Sequence, residues 1–317
     1  MSIRLSIISL FVFLLISIFS SGCASTKNQQ IVLEKTEYKK ILEQQKEKGS
    51  IDMDKKSLKK IPEMTSEEYD KLGDHYLSQG NIELAFIQYD KALRLNPDQI
   101  EIHYKIGHLY LKKGMVKNAV KEFQEVLNDN PSHAPSYIGI GRSYLMMGNL
   151  DRAKKSFQKA IKLDADLWQA HNFLSIIYDK MQQFDKAITH YETAIELQPN
   201  RGELYNNLGI SYLLNREYEK AAEAFLLAKK MGASRNKVYN NLALTYSKLG
   251  RYEDAFYAFK NGSDEASAYN NMGCIYVAEK KYKEAIDCFK RAIEISPKFY
   301  IRAYKNLKMA ERMSANK

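Results

Sequence analysis

One pattern limits what this chain can fold into: four residue types return in the same order every 34 residues. A small residue stands at Gly73, Gly107, Gly141, Ser175, Gly209, Ala243 and Gly273. Three residues on comes a tyrosine, at Tyr76, Tyr110, Tyr144, Tyr178, Tyr212, Tyr246 and Tyr276. An alanine follows at Ala85, Ala119, Ala153, Ala187, Ala221, Ala255 and Ala285. Four residues after each alanine is an aromatic, at Tyr89, Phe123, Phe157, Tyr191, Phe225, Phe259 and Phe289. The step shortens once, to 30 residues between Ala255 and Ala285. A fixed period in this range marks a stacked repeat, in which each unit covers the apolar face of its neighbour.

The stretch Ile100 to His133 shows how one unit should fold. Ile106, Tyr110 and Lys113 have helical spacing, with Gly107 beside them. Gly114 supplies a left-handed residue that stops this first helix. A second helix is predicted from Val116 to Asn128, with Ala119, Phe123 and Val126 on one face. Pro131 ends the unit, because proline cannot continue a helix. The small residue of the first helix is expected to face the alanine of the second, so that the two backbones approach closely.

Small residue, tyrosine, alanine, aromatic and proline at this period resemble the tetratricopeptide repeat family, from Ser66 to Phe299. The resemblance implies an all-α fold: a right-handed superhelical solenoid of about seven helix hairpins plus a C-terminal capping helix. The units are 66–99, 100–133, 134–167, 168–201, 202–235, 236–265 and 266–299, with the capping helix and tail at 300–317. Ala165 and Ala233 stand where proline is usual, and Gly262 where alanine is. The short unit, 236–265, leaves the path around Ser263–Glu265 open. In the last helix Lys308 and Glu311 replace the small residue and the tyrosine, which is expected to give it a polar outer face. Thr65 and Glu68 have capping-box spacing ahead of the first repeat.

The first 22 residues have the form of a targeting segment. Arg4 precedes an apolar run from Leu5 to Phe19, which suits a signal peptide and is short for a membrane span. Ser20-Ser21-Gly22-Cys23 looks like a bacterial lipobox, which implies cleavage before Cys23 and acylation of its sulfur. Ala24 is not the aspartate that commonly retains such lipoproteins at the inner membrane. The expected location is therefore the cell envelope, lipid-anchored, with the outer membrane facing the periplasm favoured. Residues 23–65, rich in Lys, Glu and Gln, are read as a lipidated, partly disordered tether. The net charge of +10 suits anionic lipid or acidic partners. Nucleic acid is not expected, because the tyrosines fall at core spacing instead of interleaving a basic cluster.

Chemistry finds little footing. The six histidines include no HExxH or other ligand spacing, so no metal is expected. Gly139-Ile140-Gly141 resembles a phosphate loop, yet Gly141 is the repeat's own small residue inside a helix. No catalytic residue and no cofactor is assigned, and the chain is not read as an enzyme. Cys274 and Cys288 fall in the two helices of one hairpin, and their expected offset favours free thiols over a bridge.

The most informative set is asparagine. The motifs YNNLG, YNNLA, YNNMG and YKNLK place Asn207, Asn241, Asn271 and Asn306 in equivalent positions on the first helices. A primary amide donates and accepts, so a row of them suits an extended peptide backbone. Beside this row lie Ile176, Ile210 and Leu244, an apolar strip on the same inner face, where the N-terminal repeats carry Asp74, His108 and Arg142. The reading is a scaffold or adaptor that binds a protein or peptide partner in its groove, in cell-envelope assembly. A surface lipoprotein for host or cell contact is the alternative, and an enzyme accessory subunit ranks below both.

Overall fold

The computed structural model describes residues 64–296 and 300–315. The expected signal segment, Cys23 and the tether up to residue 63 lie outside them. The described residues form fifteen helices and no strand. They pair as hairpins: α1 (Ser66–Ser78) with α2 (Ile82–Leu95), α3 (Ile100–Lys112) with α4 (Val116–Asp129), and α5 (Ala134–Met146) with α6 (Leu150–Leu163). Next come α7 (Trp168–Lys180) with α8 (Phe184–Leu197), and α9 (Gly202–Leu214) with α10 (Tyr218–Lys230). Last are α11 (Arg235–Lys248) with α12 (Tyr252–Gly262), α13 (Glu265–Ala278) with α14 (Tyr282–Ile295), and the single α15 (Tyr300–Ala315). Each first helix packs on its own second helix, and each second helix on the next first helix. The result is an all-α solenoid.

Local chemistry sets the ends of these helices. The Thr65 hydroxyl accepts from the Glu68 N–H (3.2 Å), and the Glu68 carboxylate accepts from the Thr65 N–H (2.8 Å), completing the capping box. Asn81, Asn149 and Asp264 cap α2, α6 and α13 with side-chain oxygens. Every hairpin turns in one way. A left-handed residue follows the first helix, and the next N–H closes on the carbonyl of the repeat tyrosine. This bond runs from Asn81 to Tyr76 (2.9 Å) in the first unit and from Lys281 to Tyr276 (2.8 Å) in the seventh. Glycine holds the left-handed position at Gly80, Gly114, Gly148 and Gly250, whereas Gln182, Arg216 and Lys280 hold it with φ between 58° and 67°.

The core of each hairpin departs from the expected pairing. The repeat alanines are buried, but the nearest neighbour of each glycine is the aromatic ring, not the alanine. A Cβ on Gly107 would lie 2.7 Å from a Phe123 ring carbon, and one on Gly209 would lie 2.6 Å from Phe225. The ring needs the flat surface that a missing Cβ leaves, and the alanine lets the second helix come close enough to deliver it. Helix α5 is gripped from both sides: Gly139 seats the Phe123 ring and Gly141 the Phe157 ring. Tyr89, Phe123, Phe157, Phe225 and Phe289 are among the largest fully buried side chains. Burying such a ring contributes about 1.5–3 kcal/mol.

The short unit loses its residues at the end of its second helix. α12 stops at Gly262, and Asp264 caps α13 two residues later. Arg235 donates to the Asn261 carbonyl (2.9 Å) and Lys260 pairs with Glu265 (3.0 Å), so the tight connection is tied on both sides. At the other end, α15 buries Leu307 and Ala310 against Ala285 and Phe289. Its outer face is not the polar cover expected from Lys308 and Glu311. Those two pair with each other (2.9 Å), while Ile301 is 70% exposed and Met309 and Met313 are exposed beside them. The substitutions removed the glycine and tyrosine, but the helix kept apolar residues between them.

A side chain in left-handed backbone costs about 1–2 kcal/mol, which glycine avoids at some cost in chain entropy. Arg216→Gly is therefore expected to stabilise the fold by about 0.5–1 kcal/mol. Urea unfolding should show a higher midpoint with an unchanged slope.

Candidate functional site

The asparagine positions lie on a seam between consecutive first helices. Asn207 Nδ2 donates to Asn172 Oδ1 (3.1 Å), Asn241 to Asn206 (2.9 Å) and Asn306 to Asn270 (3.0 Å). Each bond leaves one repeat and lands on the one before. The first seam uses the same pair of positions for an ion pair: Lys105 reaches Asp70 (2.7 and 2.9 Å) and Asp74 (2.9 Å). The asparagines thus stitch repeats together as well as facing outward. Their capacity is not exhausted, because the oxygens of Asn207, Asn241 and Asn306 accept nothing from the described residues and are not enclosed.

The stitch breaks at the short repeat. Asn271 stands where it would donate to Asn240, but it instead accepts from its neighbour Asn270 (3.4 Å). Asn240 Oδ1 is left buried with no hydrogen-bond partner among the described residues. The sequence reading placed Asn271 with the other three. The structure gives it a different geometry, because the missing residues precede α13. Asn172, which that reading passed over, belongs to the seam. Its signal was a second column of asparagines, Asn172, Asn206, Asn240 and Asn270, one residue before the first from Asn206 onward.

Ile176, Ile210 and Leu244 are half-buried. Ile176 packs on the core of the third to fifth repeats, and Ile210 and Leu244 on the next core along. They therefore contribute to inter-repeat packing while leaving part of each side chain open. No group of three or more His, Cys, Asp or Glu among the described residues could hold a metal ion. None of the described helices is long and apolar enough to cross a membrane. Cys274 and Cys288 are free, and burial pushes both thiols up to about 11.

Sequence reasoning missed two polar groups inside the fourth repeat. His171 Nε2 donates to the Ala165 carbonyl (3.2 Å), which leaves its Nδ1 to accept from His190 Nδ1–H (3.0 Å). Burial lowers the pKa of both histidines. Asp179 stands where the first, second, third and fifth repeats have Leu77, Leu111, Leu145 and Leu213. It accepts from Tyr191 OH in its own repeat (3.2 Å) and from the Ser211 hydroxyl across the boundary with the fifth repeat. Burial pushes its carboxyl up to about 6, against the pull of those two donors.

Tetratricopeptide repeat models match residues 100–133, 134–167, 174–236, 237–261 and 266–299, and a TPR repeat model matches 73–114. Sequence comparison with curated proteins returned no match. Among solved structures, a tetratricopeptide repeat protein from Parabacteroides merdae aligns over 78% of this chain and 98% of its own, at 16% identity and a TM-score of 0.55. PilW, described as a widely conserved type IV pilus biogenesis factor, aligns over 61% of this chain and 90% of its own, at 16% identity and 0.57. PilF of Pseudomonas aeruginosa aligns over 69% and 96%, at 17% identity and 0.55. At these identities the likeness is one of fold.

Asp179 yields a pH test. Its folded-state value lies above the ordinary carboxylate value of about 3.9. The native chain therefore holds this proton more tightly than the unfolded one. The stability it contributes is complete below about pH 4 and is lost as pH rises through about 6. At about 1.4 kcal/mol per unit the loss is about 3 kcal/mol. Asp179→Asn is expected to be more stable than the parent at pH 8 by about 1–3 kcal/mol and to lose that advantage at pH 4, as urea unfolding at the two pH values would report.

Proposed function

The chain belongs to the tetratricopeptide repeat family, and on that premise we propose that it is a membrane-tethered adaptor of the cell envelope. A scaffold of this kind takes protein partners. The partner here is an extended segment or a helix, held along the first-helix face by Asn207, Asn241, Asn271 and Asn306 and by the strip Ile176, Ile210 and Leu244. One observation carries the reading: in the fifth and sixth repeats Asn207 and Asn241 keep unspent acceptors beside the half-buried Ile210 and Leu244, one of each per repeat. Such a surface meets a peptide's backbone with polar atoms and its side chains with apolar ones. The membrane end of the proposal rests on residues 1–65. A lipobox ending in Cys23 and a polar spacer would fasten the scaffold to a bilayer, each buried methylene adding about 0.8 kcal/mol. The outer membrane facing the periplasm is the favoured site.

Two variants separate binding from folding. Asn271 donates to no described residue, so Asn271→Ala is expected to lower partner recovery from an envelope extract severalfold while leaving the melting temperature unchanged. Asn207→Ala should lower recovery and also cost about 1 kcal/mol of stability, through its seam bond. Full recovery with both would remove the amide row from the proposal. For the tether, labelled palmitate should enter the native chain and not Cys23→Ser; no label in the native chain would end that half.

A further inference from the structure

Helix α15 closes the stack with a face that is both apolar and basic. Ala303, Leu307 and Ala310 turn inward and are buried. The opposite side leaves Ile301 70% exposed, with Met309 and Met313 exposed along it. Among them stand Lys305, Lys308 and Arg312, three or four residues apart, so they share one line at successive turns. Tyr304, Met309 and Met313 line an open hollow of about 370 Å³ together with these three cations. Over the whole helix Arg302, Lys305, Lys308 and Arg312 stand against Glu311 alone, a net charge of +3 (4 − 1). Glu311 answers Lys308 (2.9 Å), while Lys305 and Arg312 pair with no carboxylate among the described residues. Apolar side chains left open at this density mark a contact surface.

Charge selects what covers this face. A second copy in a two-fold contact would bring the same three cations against these, so the occupant is anionic. We propose that the outer face of α15 docks on an anionic bilayer surface, with Lys305, Lys308 and Arg312 on lipid phosphates and Ile301, Met309 and Met313 reaching just below them. A membrane carries negative charge across a whole plane, so flexible cations find partners there without a fixed match. An acidic protein would have to hold carboxylates at matching points, and this face has no walls to align them. From Ile301 to Met313 it runs about 18 Å, and its convex side meets a plane along that length. The stems of lysine and arginine are apolar and lie along the interface while their heads stay at phosphate level. Cations in the middle of the face keep the helix at head-group depth, so the contact is peripheral and reversible. The net charge of +10 on the chain adds attraction of the same sign. This contact goes beyond the acyl tether and does not depend on it.

The test follows methionine oxidation by dilute peroxide in the full chain, read by mass spectrometry. Met309 and Met313 report on α15, and Met146, 55% exposed on α5, is the internal reference. The vesicles are phosphatidylcholine alone, or the same lipid with about one-third phosphatidylglycerol. On the anionic vesicles oxidation of Met309 and Met313 should slow about fivefold relative to Met146, and on the neutral ones it should not slow. The triple variant Lys305→Gln, Lys308→Gln, Arg312→Gln should lose the protection, as should the native chain in about 1 M salt. Glu311→Gln removes the one acid and should extend protection to vesicles with less phosphatidylglycerol. Circular dichroism melting checks that the variants fold. Protection on neither vesicle, equal protection on both, or a triple variant that stays protected overturns the proposal. Protection by soluble polyglutamate with none on anionic vesicles also overturns it, and assigns the face to an acidic protein. Flotation with neutral vesicles reads the N-terminal tether separately. A chain that does not float with them but is protected on anionic vesicles ends the tether and keeps this contact.

Discussion

The hairpins of this fold depend on an aromatic ring packed closely against a residue with little or no side chain, glycine in five of the seven units. Within a hairpin that contact fixes how deep the second helix sits, and the buried alanine one turn earlier permits the approach. A Cβ at Gly107 or Gly209 would fall within 3 Å of the ring, closer than side-chain carbons come. The same rule explains why Ser175 and Ala243 are tolerated elsewhere in the column: they are the smallest alternatives, and Ser175 turns its hydroxyl back to the His171 carbonyl (2.9 Å). The tyrosine three residues on has a different task, since its carbonyl closes the turn. Its ring can reach back to the preceding unit, as Tyr110 does to Phe86 and Tyr276 to Tyr252.

Between hairpins the physics is less uniform. The apolar faces of the second helices pack on the first helices of the next unit, and polar side chains on the first helices bond across the same seam. Lys105 with Asp70 and Asn207 with Asn172 occupy equivalent places and do equivalent work, one by charge and one by amide pairing. An amide pair is the gentler device, because it asks for no desolvated charge. It also leaves oxygen atoms facing away from the seam. The stacking bonds and the proposed binding surface share these residues, so the packing of the repeats sets the spacing of the amides.

The lattice was legible because it is periodic. Five first helices begin at the first residue of their unit, Ser66, Ile100, Ala134, Trp168 and Gly202, and the left-handed turn after Gly114 recurs in every copy. What periodicity does not carry is the identity of a partner in the next unit. The column of Asn207, Asn241 and Asn306 could be placed on a face, but its bonds to Asn172, Asn206 and Asn270 depend on how two helices sit across a seam. The glycine was assigned to the wrong neighbour for the same reason. Spacing shows which residues share a face, and the alanine and the ring share theirs. Asp179 was visible as a break in a leucine column, and its donors Ser211 and Tyr191 come from two different repeats. Residues 1–63 add nothing to this comparison, since the described structure starts at Met64.

The double grip on α5 has a consequence for how the molecule assembles. Its sequence, APSYIGIGRSYLM, is a poor helix former beyond its first turn, with two interior glycines and a serine among them. The glycines alone cost about 2 kcal/mol of intrinsic helicity. The Phe123 and Phe157 rings that compensate belong to α4 and α6. This segment therefore cannot nucleate order. Its order depends on rings delivered from both sides, which ties the third unit to its predecessor through the same helix that holds its own hairpin together.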